Sequence, residues 1–217
     1  MKWVVITPSD NDSSREVGRW GATLASHHTA EAMLLKPRNR SEVEAALRAQ
    51  EHVLYFGHGE RNALVIPGRL FRRRVVLIDA LNVRSTDRIV VAVACWAADG
   101  LGPDVTDPRN GPPIRAFVGW RDDVSIPFGY PDPIRDAILA ALELLFAGQT
   151  VRDVVEEMTR HLDTAHDTYR NNGRSMGLSA EAVQFAKAEA LYWKQRVAVL
   201  GDQLASIVSA STPLEIP

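Results

Sequence analysis

Hydrophobic residues in the first part of the chain fall into short runs that alternate with amphipathic segments. Strands are predicted at Lys2–Thr7, Glu31–Leu35 and Val53–Phe56. Between them, Arg15–Ser26 and the segment from Ser41 to about Gln50 carry apolar residues three and four positions apart, which is the spacing of a buried helix face. The alternation of strand and helix predicts parallel strands joined by right-handed crossovers.

The rest of the chain continues the same pattern with longer polar interruptions. A hairpin is predicted around Pro67-Gly68, and one or two helical turns at Ile78–Asn82. Glycine, proline, aspartate and asparagine predict loops at Asp99–Pro113 and Asp122–Pro131. The remaining predicted elements are three strands (Ile89–Val93, Ile114–Trp120 and Val197–Leu200) and three helices (Asp132 to Ala147, Thr150 to Asn171-Asn-Gly173, and Ser179 to about Arg196).

These elements predict a single domain over residues 1–217, with residues 210–217 as a frayed tail. The expected fold class is α/β, a three-layer sandwich in which a mostly parallel sheet of about six strands has helices on both faces. Two cap predictions are specific: Ser41-Glu-Val-Glu44 is expected to form a capping box, and Ser179 is expected to begin the last helix.

Composition narrows the range of partners and compartments. The chain is 46% hydrophobic and 24% charged, with a net charge of −2, so no overall electrostatic attraction to nucleic acid or anionic membranes is expected. A single cysteine forms no internal disulfide and fits a reducing compartment, which predicts a cytoplasmic location. No run approaches the roughly 20 apolar residues that a membrane-spanning helix needs, and the N-terminus is interpreted as a first strand, without a signal peptide.

Two apolar runs carry the candidate chemistry, because each ends in small or reactive residues. One is His52-Val-Leu-Tyr-Phe-Gly-His58-Gly59 and the other is Ile89-Val-Val-Ala-Val-Ala94-Cys95. Runs of this kind suit strands that are buried on both faces of a parallel sheet. If the two strands are neighbours, His58 and Cys95 lie at the same sheet edge, where α/β proteins hold their ligands. That pair predicts a nucleophile with its proton-transfer partner, and the N–H groups of Gly59 and Cys95 are candidate oxyanion donors.

A strand ending in His-Gly followed by a strand ending in Ala-Cys resembles the caspase-like (clan CD) cysteine peptidases, most closely the bacterial CHAT-type members. Ala94-Cys-Trp-Ala-Ala-Asp-Gly-Leu-Gly102 is similar to the family's Ala-Cys-x-Thr-Gly-x-Gly segment, Ala116-Phe-Val-Gly-Trp-Arg121 to its next strand, and the strand before Gly201-Asp202 to its last strand. The resemblance covers nearly the whole chain in the right order. The sequence departs from the family pattern at two places, Tyr55-Phe-Gly57 and the longer turn at Trp96-Ala-Ala-Asp99. Both departures affect the expected shape of the substrate pocket.

The resemblance implies a cysteine endopeptidase with Cys95 as nucleophile and His58 as general acid and base. It also implies oxyanion donors at Gly59 and Cys95, and a substrate pocket near Asp99, Arg121, Asp122 and Asp123. Aspartates there would favour Lys or Arg substrates, and arginine would favour acidic ones. The same resemblance implies a protein or peptide substrate and a separate regulatory protein. It also implies a role in bacterial stress or antiviral defence. No cofactor and no metal are expected.

Two other readings of Cys95 stay open. A cysteine after a valine-rich strand also fits a structural role in a non-catalytic α/β interaction or small-ligand module. A flavodoxin-like nucleotide binder would use the same sheet edge. Arg72-Arg73-Arg74 is interpreted as a solvated strand edge. His161 and His166 have a spacing that does not suit shared metal ligation, and the adjacent His27 and His28 point differently.

Overall fold

The structure is a computed structural model that describes residues 2–8, 12–66, 74–127, 130 and 132–207. Its strands are β1 (Trp3–Ile6), β2 (Ala32–Leu35), β3 (His52–Phe56), β4 (His58–Glu60), β5 (Ala63–Ile66), β6 (Val75–Ile78), β7 (Ile89–Val93), β8 (Ala116–Trp120) and β9 (Val197–Gly201). Its helices are α1 (Asp12–His27), α2 (Arg40–Ala49), α3 (Ala80–Val83), α4 (Leu101–Thr106), α5 (Asp132–Phe146), α6 (Val151–Asn172) and α7 (Ala180–Arg196).

Six of the strands form the central sheet, in the order β2-β1-β3-β7-β8-β9. The first five run parallel, and β9 pairs antiparallel with β8. The parallel strands are connected through helices, as parallel crossovers require. The predicted α/β class and the mostly parallel sheet of about six strands are confirmed.

In the four central strands of the main sheet, β1, β3, β7 and β8, alternate residues are buried on opposite faces, which produces two hydrophobic cores. In β1, Trp3 and Val5 pack into a core with α1, α5, α6 and α7. Val4 and Ile6 pack into the other core, with α2, α3, α4 and the small sheet. Because a strand's side chains alternate with period two, burial on both faces explains the continuous apolar runs in the sequence. The result is the three-layer sandwich that the pattern predicted.

The small second sheet is antiparallel, in the order β4-β5-β6, and follows β3 directly. The hydroxyl of Tyr55, a buried residue of β3, donates to the carbonyl oxygens of His58 and Val65, at 3.0 Å each. These two contacts join the central sheet to the small sheet at the candidate histidine. The predicted hairpin turn at Pro67-Gly68, most of the basic run at Arg72–Arg74 and the predicted frayed tail lie outside the described residues.

Two local predictions are wrong. Helix α2 begins after Asn39, whose side chain accepts from the Glu42 N–H, so the cap lies two residues before the predicted Ser41. The predicted loop at Asp99–Pro113 contains α4 and a 3₁₀ turn at Pro108–Asn110. Leu101 and Val105 are buried one helical turn apart. A proline in the first turn of a helix loses no intrahelical hydrogen bond. Burial of these side chains therefore stabilises a helix in a Gly- and Pro-rich segment.

Other helix ends follow local sequence signals. Thr150 and Asp153 form a reciprocal capping box at the start of α6, and the Ser179 side chain accepts from the Ala182 N–H at the start of α7. Helix α6 ends at Asn172, as Asn171-Asn-Gly173 predicted.

The amino end of the sheet contains a buried histidine and a buried arginine. The Arg88 guanidinium donates to four backbone carbonyls, among them those of Leu47 and Val83. The Nδ1 atom of His52 accepts from the Ile89 N–H at 3.2 Å. Burial, together with the charges of Lys2, Arg88 and Arg115, lowers the pKa of His52 to about 4. The imidazole is therefore neutral in the folded protein at neutral pH.

Protonation of His52 should destabilise the fold as the pH falls from 6.5 toward 4. The unfolded chain binds this proton with a pKa near 6.5 and the folded chain only near 4, so stability rises with pH in that window. Replacement by asparagine keeps an acceptor for the Ile89 N–H and removes the titration. Between pH 7 and 4.5, the free energy of unfolding from urea titrations should fall by about 2–3 kcal/mol more in wild type than in His52→Asn. His166→Asn, which changes a half-buried histidine of α6, serves as the matched histidine-to-asparagine control. Equal slopes for wild type and His52→Asn would contradict this assignment.

Candidate active site

The two candidate strand ends are neighbours in the central sheet. Strands β3 and β7 run parallel, with Phe56 opposite Val93. The Gly57 N–H donates to the Val93 carbonyl at 3.2 Å, extending the pairing one residue past the strands. His58 and Cys95 each follow the paired residues by two positions. The prediction that both emerge at the same carboxyl edge of the sheet is confirmed.

His58 and Cys95 line one cleft of about 510 Å³. The volume falls in the range of ordinary ligand pockets. Its other walls come from α1, α7 and the loop between β8 and α5. Hydrophobic side chains make up much of the lining: Val17, Val93, Val124, Ile126, Phe185 and Trp193. Both residues of the predicted dyad therefore face the same cleft.

The backbone of Gly59 lies against the turn that carries the cysteine. A Cβ atom at Gly59 would lie 2.0 Å from the Cys95 carbonyl oxygen and 2.9 Å from the Ala94 Cβ. Residue 59 must therefore lack a side chain, because real atoms do not approach so closely. The atom that occupies the space of a side chain at residue 59 is the carbonyl oxygen of Cys95. The close contact fixes β4 against the Cys95 turn.

The Cys95 thiol is half-buried and is held by the backbone of Val124. The sulfur lies 3.7 Å from the Val124 carbonyl oxygen and accepts from the Val124 N–H at 3.4 Å. Burial raises the pKa of Cys95 above its ordinary value of 9.0, and the nearby Asp123 carboxylate raises the pKa further. Hydrogen bonds from backbone N–H groups, including that of Cys95 itself, act in the opposite direction. The resting thiol is therefore neutral near pH 7.

The residue after the cysteine adopts a conformation that is rare for a bulky side chain. Trp96 has a φ of +58°, in the left-handed region. Its N–H donates to the Asp122 carbonyl, its indole N–H donates to Asp123 at 2.6 Å, and the Arg61 guanidinium lies 5.2 Å from the ring centroid. These contacts hold a strained turn in place. The strain at Trp96 and the contact at Gly59 together define where Cys95 points.

The charged residues that the sequence predicted for the substrate pocket lie around the cleft and are not part of its lining. Asp99 pairs with Arg61 at 3.0 Å, and Asp122 lies 3.6 Å from Arg196. Asp123 accepts from the Trp96 indole. The side chain of Arg121 is exposed, and its backbone N–H donates to the Arg196 carbonyl. The structure thus brings together the dyad and Gly59 but does not bring these four side chains into the cleft.

Sequence reasoning missed the residues that form the apolar walls of the cleft, which come from α7 and from the loop after β8. Ser125 connects them: its N–H donates to Glu189 at 3.2 Å, and its carbonyl accepts from the Trp193 indole at 2.8 Å. Phe185, Glu189 and Trp193 are spaced four residues apart, so they share one face of α7. That spacing is visible in the sequence, but nothing local indicates that this face meets the cysteine.

Histidines outside the cleft have structural partners. His27 and His28 both bind the Glu143 carboxylate, and the His28 ring stacks on Phe146 at 3.8 Å. His161 lies 2.9 Å from Glu157. Within the described ranges, no three His, Cys, Asp or Glu side chains are grouped as metal ligands would be. None of the described helices combines the length and the apolar character needed to cross a membrane.

Comparison with known proteins adds no assignment. The chain matches no protein-family model, and no curated protein matches it. Function is therefore inferred from the geometry of the cleft and from the resemblance of its motifs.

Alanine at position 59 should disrupt the cleft, because its Cβ would overlap a backbone oxygen that no side-chain rotation can move. We expect Gly59→Ala to lower the free energy of unfolding by about 2 kcal/mol or more in a urea titration. Gly18→Ala is the matched control: a Cβ there meets only ordinary contacts, at 3.5 Å or more, inside α1. That variant should be neutral or more stable by up to about 1 kcal/mol. Equal effects of the two substitutions would contradict the close contact at Gly59.

Removal of the Asp123 charge should make Cys95 more reactive. Asparagine keeps an acceptor for the Trp96 indole but removes a negative charge that disfavours the thiolate, so the pKa of Cys95 should fall. The iodoacetamide alkylation rate at pH 7.5 should then rise several-fold in Asp123→Asn, with little change well above the thiol pKa. Asp122→Asn makes the same charge change one residue away and should have a smaller effect. An unchanged rate in Asp123→Asn would show that its carboxylate does not act on the thiol.

Proposed function

We propose that the protein is a cysteine endopeptidase that uses Cys95 as nucleophile and His58 as general acid and base. One observation carries this proposal: the single cysteine and His58 follow neighbouring parallel strands and line the same cleft. The order of the motifs adds the resemblance to caspase-like peptidases of the CHAT type. A protein or peptide is the corresponding substrate.

The raised pKa of the thiol determines how such a reaction would start. Because Cys95 rests as a neutral thiol, its proton must leave as the sulfur attacks the substrate carbonyl, and His58 accepts it. The attack forms the carbon–sulfur bond and places negative charge on the carbonyl oxygen. When this intermediate collapses, the peptide carbon–nitrogen bond breaks and the histidine proton goes to the leaving amine. Water activated by His58 then hydrolyses the thioester and regenerates the thiol.

The developing oxyanion needs hydrogen-bond donors close to the sulfur. The N–H of Cys95 is the first candidate, because hydrogen bonding from this group lowers the pKa of the thiol. Gly59 is the second candidate, because its backbone lies directly against the Cys95 turn. Both were predicted from the sequence, and both keep that proposed role here.

A second candidate function is favoured by one specific observation. Burial and the contacts with Val124 leave Cys95 as a neutral, held thiol, which is also what a structural cysteine requires. In that case the protein is a non-catalytic α/β interaction or small-ligand module that binds its ligand in the same cleft. A nucleotide is a poorer fit for this cleft, because much of the lining is apolar.

The wider setting of the proposal comes from the resemblance alone. CHAT-type relatives act beside a regulatory or substrate protein, often in bacterial stress or antiviral defence. We propose the same kind of separate partner for this chain, with the cytoplasm as its location, since a single cysteine that forms no internal disulfide fits a reducing compartment.

The alkylation rate of Cys95 across pH separates the two candidates. If His58 accepts the thiol proton, iodoacetamide labelling near pH 7.5 should be about tenfold or more slower in His58→Ala than in wild type. The two profiles should converge above the thiol pKa, where hydroxide ionises Cys95 without help. His166→Ala, which changes a half-buried histidine outside the cleft lining, controls for the loss of a histidine. Slow labelling with the same pH profile in wild type and His58→Ala would favour the non-catalytic module.

Acyl transfer can be tested with p-nitrophenyl acetate. Wild type should release p-nitrophenol in a burst and carry one acetyl group, detected by mass spectrometry, which then disappears. Cys95→Ser should show no thioester, and His58→Ala should be slow in both steps. Stable acetylation that is never hydrolysed, or none in the fully folded wild type, would count against a peptidase mechanism in the isolated chain.

A further inference from the structure

The cleft beside Cys95 offers apolar surface where the sequence had predicted charge. Val17, Val124, Ile126 and Phe185 line it, from three different segments of the chain. Phe185 keeps 45% of its surface exposed while it lines the cleft. An accessible aromatic side chain at a concave site is a favourable surface for another apolar group, because burial of both removes hydrocarbon from water.

The three aspartates near the cleft are already engaged with partners inside the protein. Asp99 binds Arg61, Asp122 lies near Arg196, and Asp123 accepts from the Trp96 indole. None of the side chains known to line the cleft is an aspartate, glutamate, lysine or arginine. A charged substrate group would therefore lose its hydration in this cleft without gaining an opposite charge.

The apolar wall is attached rigidly to the nucleophile. The Val124 N–H donates to the Cys95 sulfur at 3.4 Å. The next residue, Ser125, has both backbone groups bound to α7, through Glu189 and Trp193. An apolar group that packs on this wall is therefore held at a defined position relative to the sulfur, as selection between substrates requires.

We propose that the cleft selects a large apolar side chain, such as Leu, Met, Phe or Tyr, in the substrate residue that supplies the carbonyl attacked by Cys95. This inference rests on the proposed peptidase function and names its substrate class. The proposed selection is by burial of an apolar group on Val17, Val124, Ile126 and Phe185. The sequence had predicted selection by charge, at Asp99, Arg121, Asp122 and Asp123.

Acetylated dipeptide chloromethyl ketones test the preference without requiring turnover. In each, the Cys95 sulfur displaces chloride and forms a carbon–sulfur bond, and only the side chain next to the reactive group differs. Second-order labelling rates should be on the order of tenfold or more higher for Leu and Phe reagents than for Lys and Asp reagents. Equal or higher rates with a charged reagent would overturn the proposal.

Variants of α7 connect the preference to the cleft wall. Phe185→Ala should reduce the ratio of Phe to Asp labelling several-fold, and Phe185→Lys should shift it toward the Asp reagent. Tyr192→Ala removes an aromatic ring of similar exposure, 41% against 45%, from the same helix but outside the cleft lining, and should keep the wild-type ratio. If Phe185→Ala keeps the wild-type ratio as well, the wall named here does not select the substrate.

The outcomes separate this inference from the peptidase proposal. Rapid, His58-dependent alkylation without an apolar preference would leave the dyad supported and remove the selection proposed here. Slow labelling that is independent of His58 but still favours apolar reagents would support an apolar binding cleft in a non-catalytic module.

Discussion

The pairing of β3 with β7 is the constraint on which the candidate site depends. Phe56 lies opposite Val93, and this register places the residues that follow each strand side by side at one sheet edge. A shift of one residue in either strand would turn its alternate side chains toward the wrong face and break both hydrophobic cores. The free energy of burying those cores therefore also fixes the position of His58 relative to Cys95.

Around that register, backbone contacts define the shape of the turn that carries the cysteine. Gly59 packs against the Cys95 carbonyl, and Trp96 holds a left-handed conformation through three contacts. Conformations of this kind persist only where the surrounding structure supports them, and they concentrate at functional sites. The cost of the strained turn is offset by the packing on either side of it.

The same packing that positions the thiol also makes it less acidic. Burial favours the neutral form of Cys95, and the Asp123 carboxylate adds to this effect. A neutral thiol is less readily oxidised or alkylated than a thiolate, and in the proposed reaction it depends on a base at the moment of attack. In the proposed reaction, proton transfer to His58 therefore offsets the effect of burial on the thiol.

The sequence by itself determined the strands of the central sheet, most helices and the two strand ends, because the corresponding signals are local. Burial on both faces produces continuous apolar runs, and side-chain caps such as Thr150 and Ser179 act within one helical turn.

Only the tertiary structure decided what lines the cleft and which partners the predicted pocket aspartates take. Phe185 is far from Cys95 in sequence, and Asp122 meets Arg196 only when α7 packs against the sheet. Helix α4 likewise forms where composition predicted a loop, because Leu101 and Val105 are buried by distant residues. One sequence carries no periodic or spacing signal for which distant elements pack together or which charged side chains pair. These contacts are decided only when the chain folds.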